Sequence, residues 1–457
     1  MDRRLFLQTT FATGFALGAA GSVRGSDSSG KLILSAPLTH PDWMMRDNVP
    51  GVVWGPAGVK HMLDACKSYG WSRIYWRVLD GGRSLYKSRL VTPGEHWEFD
   101  AFHNPQTPED KQLLIKYGVD VTKPEVRQKM LESLAKVEAM DYSKFDSLAA
   151  AVSYGHQIGL QIHAWVSINE DDHAWGLQSD FNLKYPEYRW RKRSGQAYRS
   201  QISFAYPGAM NYKVGIVKEL VEGYDIDGLF FDWLRTGDVR DNPQTDAEGV
   251  ADHGYETPLV EGFKAKYGVD PHDVPNGDDR WVRYRAEPHT DFARRVKDLA
   301  KSTKPRLVIS MMGAHPWCFR GAKDPINGNL RGMLLDTTTW AREGLINEIV
   351  AGGYYLEGGT PEKAYEALKK ETEGKVSVWI YGWVPRKVED FERDYAVARN
   401  VGAKQILFWE ADYIDDPANG EGILTSYHAR HGSQAGQVDV RTAKEELQNL
   451  MRSRALM

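Results

Sequence analysis

The chain has 457 residues, which suits one large domain or two ordinary ones. Its 58 basic and 62 acidic residues are interspersed and give a net charge of -4, so the sequence lacks the basic surface that nucleic-acid binding requires. The spacing of Cys66 and Cys318 indicates neither a metal site nor a disulfide framework; two free thiols are expected, and a single bridge is the alternative. We therefore expect no nucleic-acid partner, no metal and no cofactor.

The first 30 residues have the features of an export signal. Residues 2–8 read Asp-Arg-Arg-Leu-Phe-Leu-Gln, which matches the twin-arginine pattern. The weakly apolar run over residues 11–20 is shorter than the ~20 residues that span a bilayer. We predict twin-arginine export to the periplasm or the exterior, and a single domain over residues 31–457. No stable membrane span is expected after signal removal; a retained anchor is the alternative.

From residue 51 onwards, strand and helix signals alternate. Strands are predicted at residues 51–54, 74–79, 160–166, 229–231, 306–312, 345–350, 376–381 and 405–409, as short apolar runs. Helices are predicted around Cys66 and at residues 145–152, 214–224, 281–301, 339–344, 388–400 and 440–452. Thr360 and Pro361 are a further helix start, with an N-cap threonine and a first-turn proline.

This alternation predicts a (β/α)₈ TIM barrel, an α/β fold. A doubly wound open sheet is the alternative, but no Gly-x-Gly-x-x-Gly follows the first predicted strand. Long polar segments, over residues 81–140, 169–208 and 235–280, all follow strands. We therefore expect long βα loops, which would place the functional site at the carboxyl ends of the strands.

Polar and aromatic residues cluster where the predicted strands end. In the third to sixth units His163, Trp165, Asn169, Asp232, Trp233, Arg235, His315 and Tyr354 stand at these positions, and the first two units supply Trp54, Trp76, Arg77 and Asp80. The last two supply Tyr381, Trp383, Trp409, Glu410 and Asp412. Aromatic rings beside polar groups suit sugars, whose C–H faces pack on rings.

Two of these residues are candidates for glycosidic chemistry, which needs one carboxyl group as acid and a second as nucleophile or base. We assign these roles to Asp232 and Glu410, with strand alternation placing Asp232 on the face of Phe230 and Glu410 on that of Phe408. The fourth and eighth barrel strands lie far apart, which favours the inverting separation of roughly 6.5–9.5 Å.

Other readings of the acidic residues stay open. Asp232 could cap the next turn or pair with Arg235, and Glu410 could form a salt bridge. His163 could bind a sugar hydroxyl or be a structural hydrogen-bonding group. A metal site at His163, Asp232 and Glu410 lacks the His-x-His or His-Glu-x-x-His spacing that such sites show.

Several motifs together resemble a known family. Gly-Val-Val-Trp at residues 51–54, Tyr-Trp-Arg-Val at 75–78, Ile-His-Ala-Trp at 162–165 and Tyr-Asp-Ile-Asp-Gly-Leu-Phe-Phe-Asp at 224–232 stand in the order of the bacterial glycosyl-hydrolase-like family 10 domain. The resemblance covers residues 50–410 and implies a barrel with proposed carbohydrate hydrolysis, in which Asp232 is the catalytic candidate.

We therefore expect an exported glycoside hydrolase that acts on a carbohydrate substrate, with Asp232 and Glu410 as the catalytic pair. Two other classes remain. A non-catalytic carbohydrate-binding barrel would bind sugar without turnover. A polysaccharide lyase or other sugar-modifying enzyme would use His163 or a tyrosine as base and release an unsaturated product.

Overall fold

The computed structural model describes residues 32–44, 54–94, 123–169, 171, 179–232, 245–313, 328–352, 359–414, 417–432 and 438–456. The strands are β1 Ile33–Leu38, β2 Arg73–Asp80, β3 Arg83–Ser84, β4 Gln161–Ser167, β5 Arg189–Arg191, β6 Ala197–Ile202, β7 Gly228–Asp232, β8 Val308–Gly313, β9 Glu348–Ala351, β10 Ser377–Trp383 and β11 Gln405–Trp409. The helices are α1 His40–Met44, α2 Pro56–Ser68, α3 Pro124–Glu138, α4 Ser147–Gln157, α5 Asp180–Lys184, α6 Pro207–Gly223, α7 Thr257–Tyr267, α8 Asp279–Thr303, α9 Gly328–Met333, α10 Thr337–Glu343, α11 Pro361–Glu371, α12 Val388–Val401, α13 Pro417–His431 and α14 Val440–Leu456.

Eight parallel strands within these residues close into a barrel. They follow the order β1, β2, β4, β7, β8, β9, β10 and β11, and β1 pairs with both β2 and β11. The two-residue β3 pairs antiparallel with β2, and β5 and β6 form a separate hairpin. The predicted (β/α)₈ barrel is confirmed, and the open sheet is excluded because β1 joins the two ends.

The strands alternate between an inner and an outer apolar layer. Tyr75, Phe230 and Trp379 pack against one another inside the barrel, whereas Phe231 and Phe408 belong to the larger cluster between the strands and the helices. Burial on both faces explains why these strands are continuous apolar runs. Several helices begin at a capping side chain, among them α11, where Thr360 Oγ1 accepts from the Lys363 amide at 3.3 Å, as predicted.

A polar network closes the amino-terminal end of the barrel. Arg73 donates from Nη1 to Glu348 Oε2 at 2.7 Å and to Gln405 Oε1 at 3.0 Å. Gln405 in turn donates from Nε2 to the Tyr75 hydroxyl at 2.6 Å. Burial raises the pKa of the Glu348 carboxyl, although Arg73 opposes the shift. These residues fill the base of the barrel, so access to its interior is expected from the opposite end.

The prediction that the barrel begins at residues 51–54 is wrong. The first barrel strand is β1; Trp54 lies in a turn, and residues 51–53 lie outside the described residues. Ser35 and Pro37 interrupt the apolar run of β1, and a proline ordinarily argues against a central strand. Pro37 nevertheless lies in register with Tyr75 of β2.

The predicted long segments contain regular structure. Helix α3 lies within residues 81–140, and the β5–β6 hairpin lies within residues 169–208. Helix α13 was not predicted. The asymmetry of the connections is confirmed, because residues 158–160 suffice between α4 and β4, and residues 224–227 between α6 and β7. Among the described residues, no helix has the length and apolar character needed to cross a membrane.

Candidate active site at the carboxyl end of the barrel

Asp232 is the last residue of β7 and is fully buried. It lies in register with Ser167, the last residue of the neighbouring β4. Its Oδ2 accepts a hydrogen bond from Trp165 Nε1 at 3.2 Å. An indole N–H only donates, so this contact favours the ionised carboxylate over the acid.

Four aromatic side chains from three strands form a wall, which we call the aromatic wall: Trp165, Tyr381, Trp383 and Trp409. The Trp165 and Trp409 rings meet edge to face with centroids 5.1 Å apart, and Tyr381 stacks on Trp409 at 6.1 Å. Trp383 is 42% exposed and meets Tyr381 at 5.6 Å. The wall therefore runs from the buried carboxylate of Asp232 to the exposed ring of Trp383.

Arg77 packs behind this wall. Its guanidinium lies 4.4 Å from the centroid of the Trp165 ring, and its Nη2 donates to Asp80 Oδ1 at 2.6 Å and to Ser167 Oγ at 3.1 Å. Asp80 therefore compensates the charge of the buried arginine. Arg77 and Asp80 hold Trp165 in position, and through it Asp232.

Glu410 follows the last barrel strand and begins the short turn Ala411–Tyr413. Its side chain is buried, as is that of Asp412. Carboxylate oxygens of Glu410, Asp412 and Asp42 lie within 4.8 Å of one another. Among the residues that the structure describes, these three could hold a cation by geometry.

Contrary to the prediction, strand alternation does not place Glu410 on the face of Phe408, because β11 ends at Trp409 and Glu410 lies beyond it. Phe408 points outward and packs near Trp71 and Phe391, whereas Trp409 points into the barrel. The alternation of strand side chains ends at Trp409, because Glu410 already starts the turn. The position of Glu410 beside Asp42 and Asp412 therefore follows from the turn after β11, and not from the alternation of side chains along the strand.

Asn169 lies just beyond β4 and is fully buried. Neither atom of its amide has a hydrogen-bond partner among the described residues. Two residues further on, Asp171 Oδ1 and Lys213 Nζ form a buried ion pair at 2.7 Å. The carboxyl end of β4 therefore carries a buried amide that can both donate and accept.

Two candidates, Trp76 and His163, do not point into this site, and a third, Trp54, is half-buried in the connection between β1 and α2. Trp76 points outward and donates from Nε1 to Ser147 Oγ at 3.4 Å, and Trp54 joins it in an aromatic cluster around His40. His163 pairs in register with Gly228, four residues before Asp232 on the same strand, or about 13 Å along it. Burial holds the pKa of His163 well below its usual value. The predictions for Trp76 and His163 are wrong, because these side chains belong to the core. The predicted role of the half-buried Trp54 stays a prediction.

Trp233, Arg235, His315 and Tyr354 were also predicted, and they lie outside the described residues. The sequence reading missed four residues that the fold brings close to the candidates: Asp42, Ser167, Asp171 and Lys213. Asp42 was missed because β1 was not recognised; the Thr39-His40 pair that follows β1 was the available signal. No pattern in the sequence near Lys213 or Asp171 indicates their contact, because the two residues are distant in the sequence.

The family model described as "Glycosyl hydrolase-like 10" matches residues 124–389. No curated protein matches the sequence. Among solved structures, the PgaB (BpsB) glycoside hydrolase domain from Bordetella bronchiseptica is similar over 86% of this chain and 97% of its own, with 13% identity and a TM-score of 0.51. The β-amylase catalytic domain from Paenibacillus polymyxa matches over 88% and 99%, with 11% identity and a TM-score of 0.52.

An α-L-fucosidase isoenzyme 2 from Paenibacillus thiaminolyticus is also similar, at 15% identity and a TM-score of 0.43. The match covers 89% of this chain but only 50% of the fucosidase. At these identities the likeness to the hydrolase domain and to the amylase concerns the fold.

Proposed function

Because the chain belongs to the glycosyl hydrolase-like 10 family, we propose that it is a glycoside hydrolase that cleaves O-glycosidic bonds of a poly- or oligosaccharide. The observation that carries the proposal is the contact between Asp232 and Trp165. A fully buried carboxylate at the end of a barrel strand accepts a hydrogen bond from a tryptophan, which itself begins an aromatic wall open to solvent. Barrel enzymes keep their chemistry at this end.

In the proposed mechanism Asp232 is the ionised group and Glu410 the acid. The Trp165 donor supports the first assignment, because it stabilises the charged carboxylate. Glu410 would protonate the leaving oxygen, and Asp232 would take a proton from the water that attacks the anomeric carbon. The aromatic wall would hold the sugar ring, and Asn169 would bind one of its polar groups.

We further propose that the configuration at the anomeric carbon is inverted. Strands β7 and β11 lie on opposite sides of the barrel, with β8, β9 and β10 between them on one side and β4, β2 and β1 on the other. Opposed strands favour the separation of roughly 6.5–9.5 Å that admits a water molecule. Proton NMR of the first product tests this, and a product with the configuration of the substrate would contradict it.

The experiment that tests the function is a glycan panel. The purified protein is incubated with peptidoglycan, plant and algal polysaccharides and aryl glycosides, and reducing ends and product masses are measured. Asp232→Asn and Glu410→Gln are run beside Asp225→Asn. Asp225 is a matched control, because it precedes the same strand but is 84% exposed and pairs with Lys304 at 3.3 Å.

Hydrated sugar products from wild type and Asp225→Asn, with losses of roughly 10²- to 10⁴-fold in the two site variants, would support the assignment. Equal release by wild type and Asp232→Asn would remove Asp232 from the reaction. Products that absorb in the ultraviolet would indicate a lyase. Binding without any turnover would indicate a non-catalytic carbohydrate-binding barrel.

We also propose that the protein acts after twin-arginine export. Residues 2–8 carry the motif, and they lie outside the described residues. Fractionation of cells that express wild type or the variant with Arg3→Lys and Arg4→Lys tests the proposal. Retention of only the variant in the cytoplasm is expected, and equal distribution of the two proteins would contradict export by this route.

A further inference from the structure

A row of five half-buried aromatic side chains lies on the surface beyond β4. We call it the aromatic strip: Tyr212, Phe181, Tyr185, Tyr188 and Tyr206. Along this order the ring centroids are 3.8, 4.9, 5.2 and 5.0 Å apart. Leu183, beside Phe181 in α5, is 54% exposed. No residue of the strip belongs to the aromatic wall, so the strip is a second concentration of rings.

The strip is joined to the candidate active site by buried contacts. Asp171, two residues beyond Asn169, accepts from the Ser179 amide at 3.0 Å through its backbone oxygen, and Ser179 caps the α5 helix that carries Phe181. Lys213, which pairs with Asp171, lies 5.6 Å from the centroid of the Tyr212 ring. The connection from β4 and the start of α6 thus fix the strip to the carboxyl end of the barrel.

The charged residues next to the strip in the sequence are balanced in sign, since Lys184 and Arg189 are basic and Asp180 and Glu187 are acidic. Lys184 and Glu187 are both exposed, and Lys184 Nζ lies 5.2 Å from the centroid of the Tyr185 ring. A surface that selects an anionic or a cationic polymer would carry an excess of one sign. Partly exposed tyrosines combine an apolar ring with a hydroxyl, which matches the apolar faces and hydroxyls of an uncharged sugar.

We infer that the aromatic strip is a binding site for an uncharged polysaccharide chain, separate from the aromatic wall and continuous with it through the end of β4. The inference rests on the proposed function for the chemical class of its ligand. It adds that the substrate is a polymer long enough to contact both surfaces. The simple alternative is that the rings only pack α5 and the residues before β5 onto α6, and the experiment below distinguishes the two.

Affinity electrophoresis separates binding from catalysis. Gels contain hydroxyethyl cellulose, mixed-linkage β-glucan or arabinoxylan, and all proteins carry Asp232→Asn so that the polymer is not consumed. Tyr185→Ala and the double variant Tyr185→Ala, Tyr188→Ala are compared with Tyr427→Ala. Tyr427 is a matched control, because it is half-buried and its ring contacts that of His431 at 4.3 Å on α13, outside the strip.

At least one polymer should retard the parent protein and Tyr427→Ala equally. The apparent affinity should fall about threefold or more for Tyr185→Ala and about tenfold for the double variant, from the size of one or two ring contacts. Should the double variant fail to fold, Tyr185→Ala alone decides, because it leaves the contact between Tyr188 and Tyr206 intact.

Parent protein that no polymer retards, or folded strip variants that are retarded as strongly as the parent, would overturn the inference. These outcomes are distinct from failure of the proposed function, which is the absence of product from wild type on the glycan panel. In an active enzyme, the double variant should lower kcat/KM for the polymer about tenfold relative to kcat/KM for a trisaccharide of the same linkage. An unchanged ratio would also overturn the inference.

Discussion

The Trp165 indole donates to the Asp232 carboxylate across 3.2 Å, and the same ring packs against Trp409 at the end of β11. One side chain of β4 thus connects the candidate catalytic residue of β7 with the end of β11. The Arg77 guanidinium lies over the same ring at 4.4 Å. The geometry of Asp232 therefore depends on the orientation of Trp165.

Replacing Trp165 with phenylalanine tests this dependence. Trp165→Phe keeps an aromatic ring but removes the donor, and a hydrogen bond to a charged group contributes about 1.5–3 kcal/mol. We expect kcat to fall roughly 10- to 100-fold while the protein remains folded. Kinetics on the best substrate from the glycan panel, together with thermal unfolding, measure both effects.

The control is Trp340→Phe, which removes the donation from Trp340 Nε1 to Thr290 Oγ1 at 2.9 Å, between α10 and α8. This variant should lose stability and retain kcat. A Trp165→Phe enzyme with wild-type kcat would show that the indole donor does not serve catalysis.

The strand that ends in Asp232 could be read from the sequence, since its apolar run is uninterrupted and a glycine precedes it. Gly228 is also required by packing: a Cβ there would lie 2.2 Å from His163 Nδ1 and 2.7 Å from the Val308 oxygen. The sequence alone could not reveal this close approach, because it arises between neighbouring strands of the closed barrel.

Other parts of the site could not be read locally. The run of β1 is interrupted at Ser35 and Pro37, so its strand character depends on its two neighbours rather than on its own pattern. Because β1 could not be recognised from the sequence, the position of Asp42 near Glu410 could not be predicted either. His163 lies on the same strand as Trp165, and Trp76 lies on the neighbouring β2. Only the closed barrel shows that His163 points into the barrel core and that Trp76 points outward, towards the helices.

Gly228→Ala should destabilise the fold. Overpacking of a filled interior costs about 1–3 kcal/mol, and here one of the crowded atoms is a backbone oxygen that cannot rotate away. Gly223→Ala, at the end of the preceding helix α6, is the control because nothing lies within 4 Å of its added Cβ. Urea denaturation should show a loss for Gly228→Ala and a change of at most about 1 kcal/mol for Gly223→Ala. Equal midpoints would refute the close approach.

Glu256 should make stability depend on pH. The side chain is fully buried, and burial raises its pKa from 4.5 to about 7, against the opposing influence of Ser203 and Arg285. The folded protein thus binds this proton more tightly than the unfolded chain, so the carboxyl group lowers stability as pH rises from about 4.5 to 7. The difference in the pKa of Glu256 between the unfolded and the folded protein corresponds to roughly 3 kcal/mol in the free energy of unfolding.

Glu256→Gln removes that titration. Chemical denaturation at pH 5 and pH 8 should show the variant gaining on wild type by up to roughly 3 kcal/mol at the higher pH. Glu222→Gln, at an exposed position on α6 that pairs with Lys218, should follow wild type at both pH values. If Glu256→Gln behaves like Glu222→Gln, the buried carboxyl group does not change its protonation between the two pH values.

We expect that replacing Asn169 with leucine raises the stability of the fold and lowers the activity. Its buried amide has no hydrogen-bond partner among the described residues, and replacing an unsatisfied polar group with an apolar one of similar shape is neutral or stabilising. We expect Asn169→Leu to gain up to about 1 kcal/mol in unfolding free energy while kcat/KM falls roughly tenfold or more, because the lost amide would bind the sugar.

Asn276→Leu provides the contrast. Asn276 donates to Asp246 Oδ2 at 2.8 Å and to the Ala251 oxygen at 3.0 Å, and it accepts from the Tyr255 hydroxyl at 2.9 Å. Its replacement should cost about 1–3 kcal/mol because these partners are left unsatisfied. Denaturation curves and kcat/KM, measured for both variants, show whether Asn169 serves sugar binding or stability. A loss of stability in Asn169→Leu as large as that in Asn276→Leu would assign Asn169 to the structural network instead of the sugar.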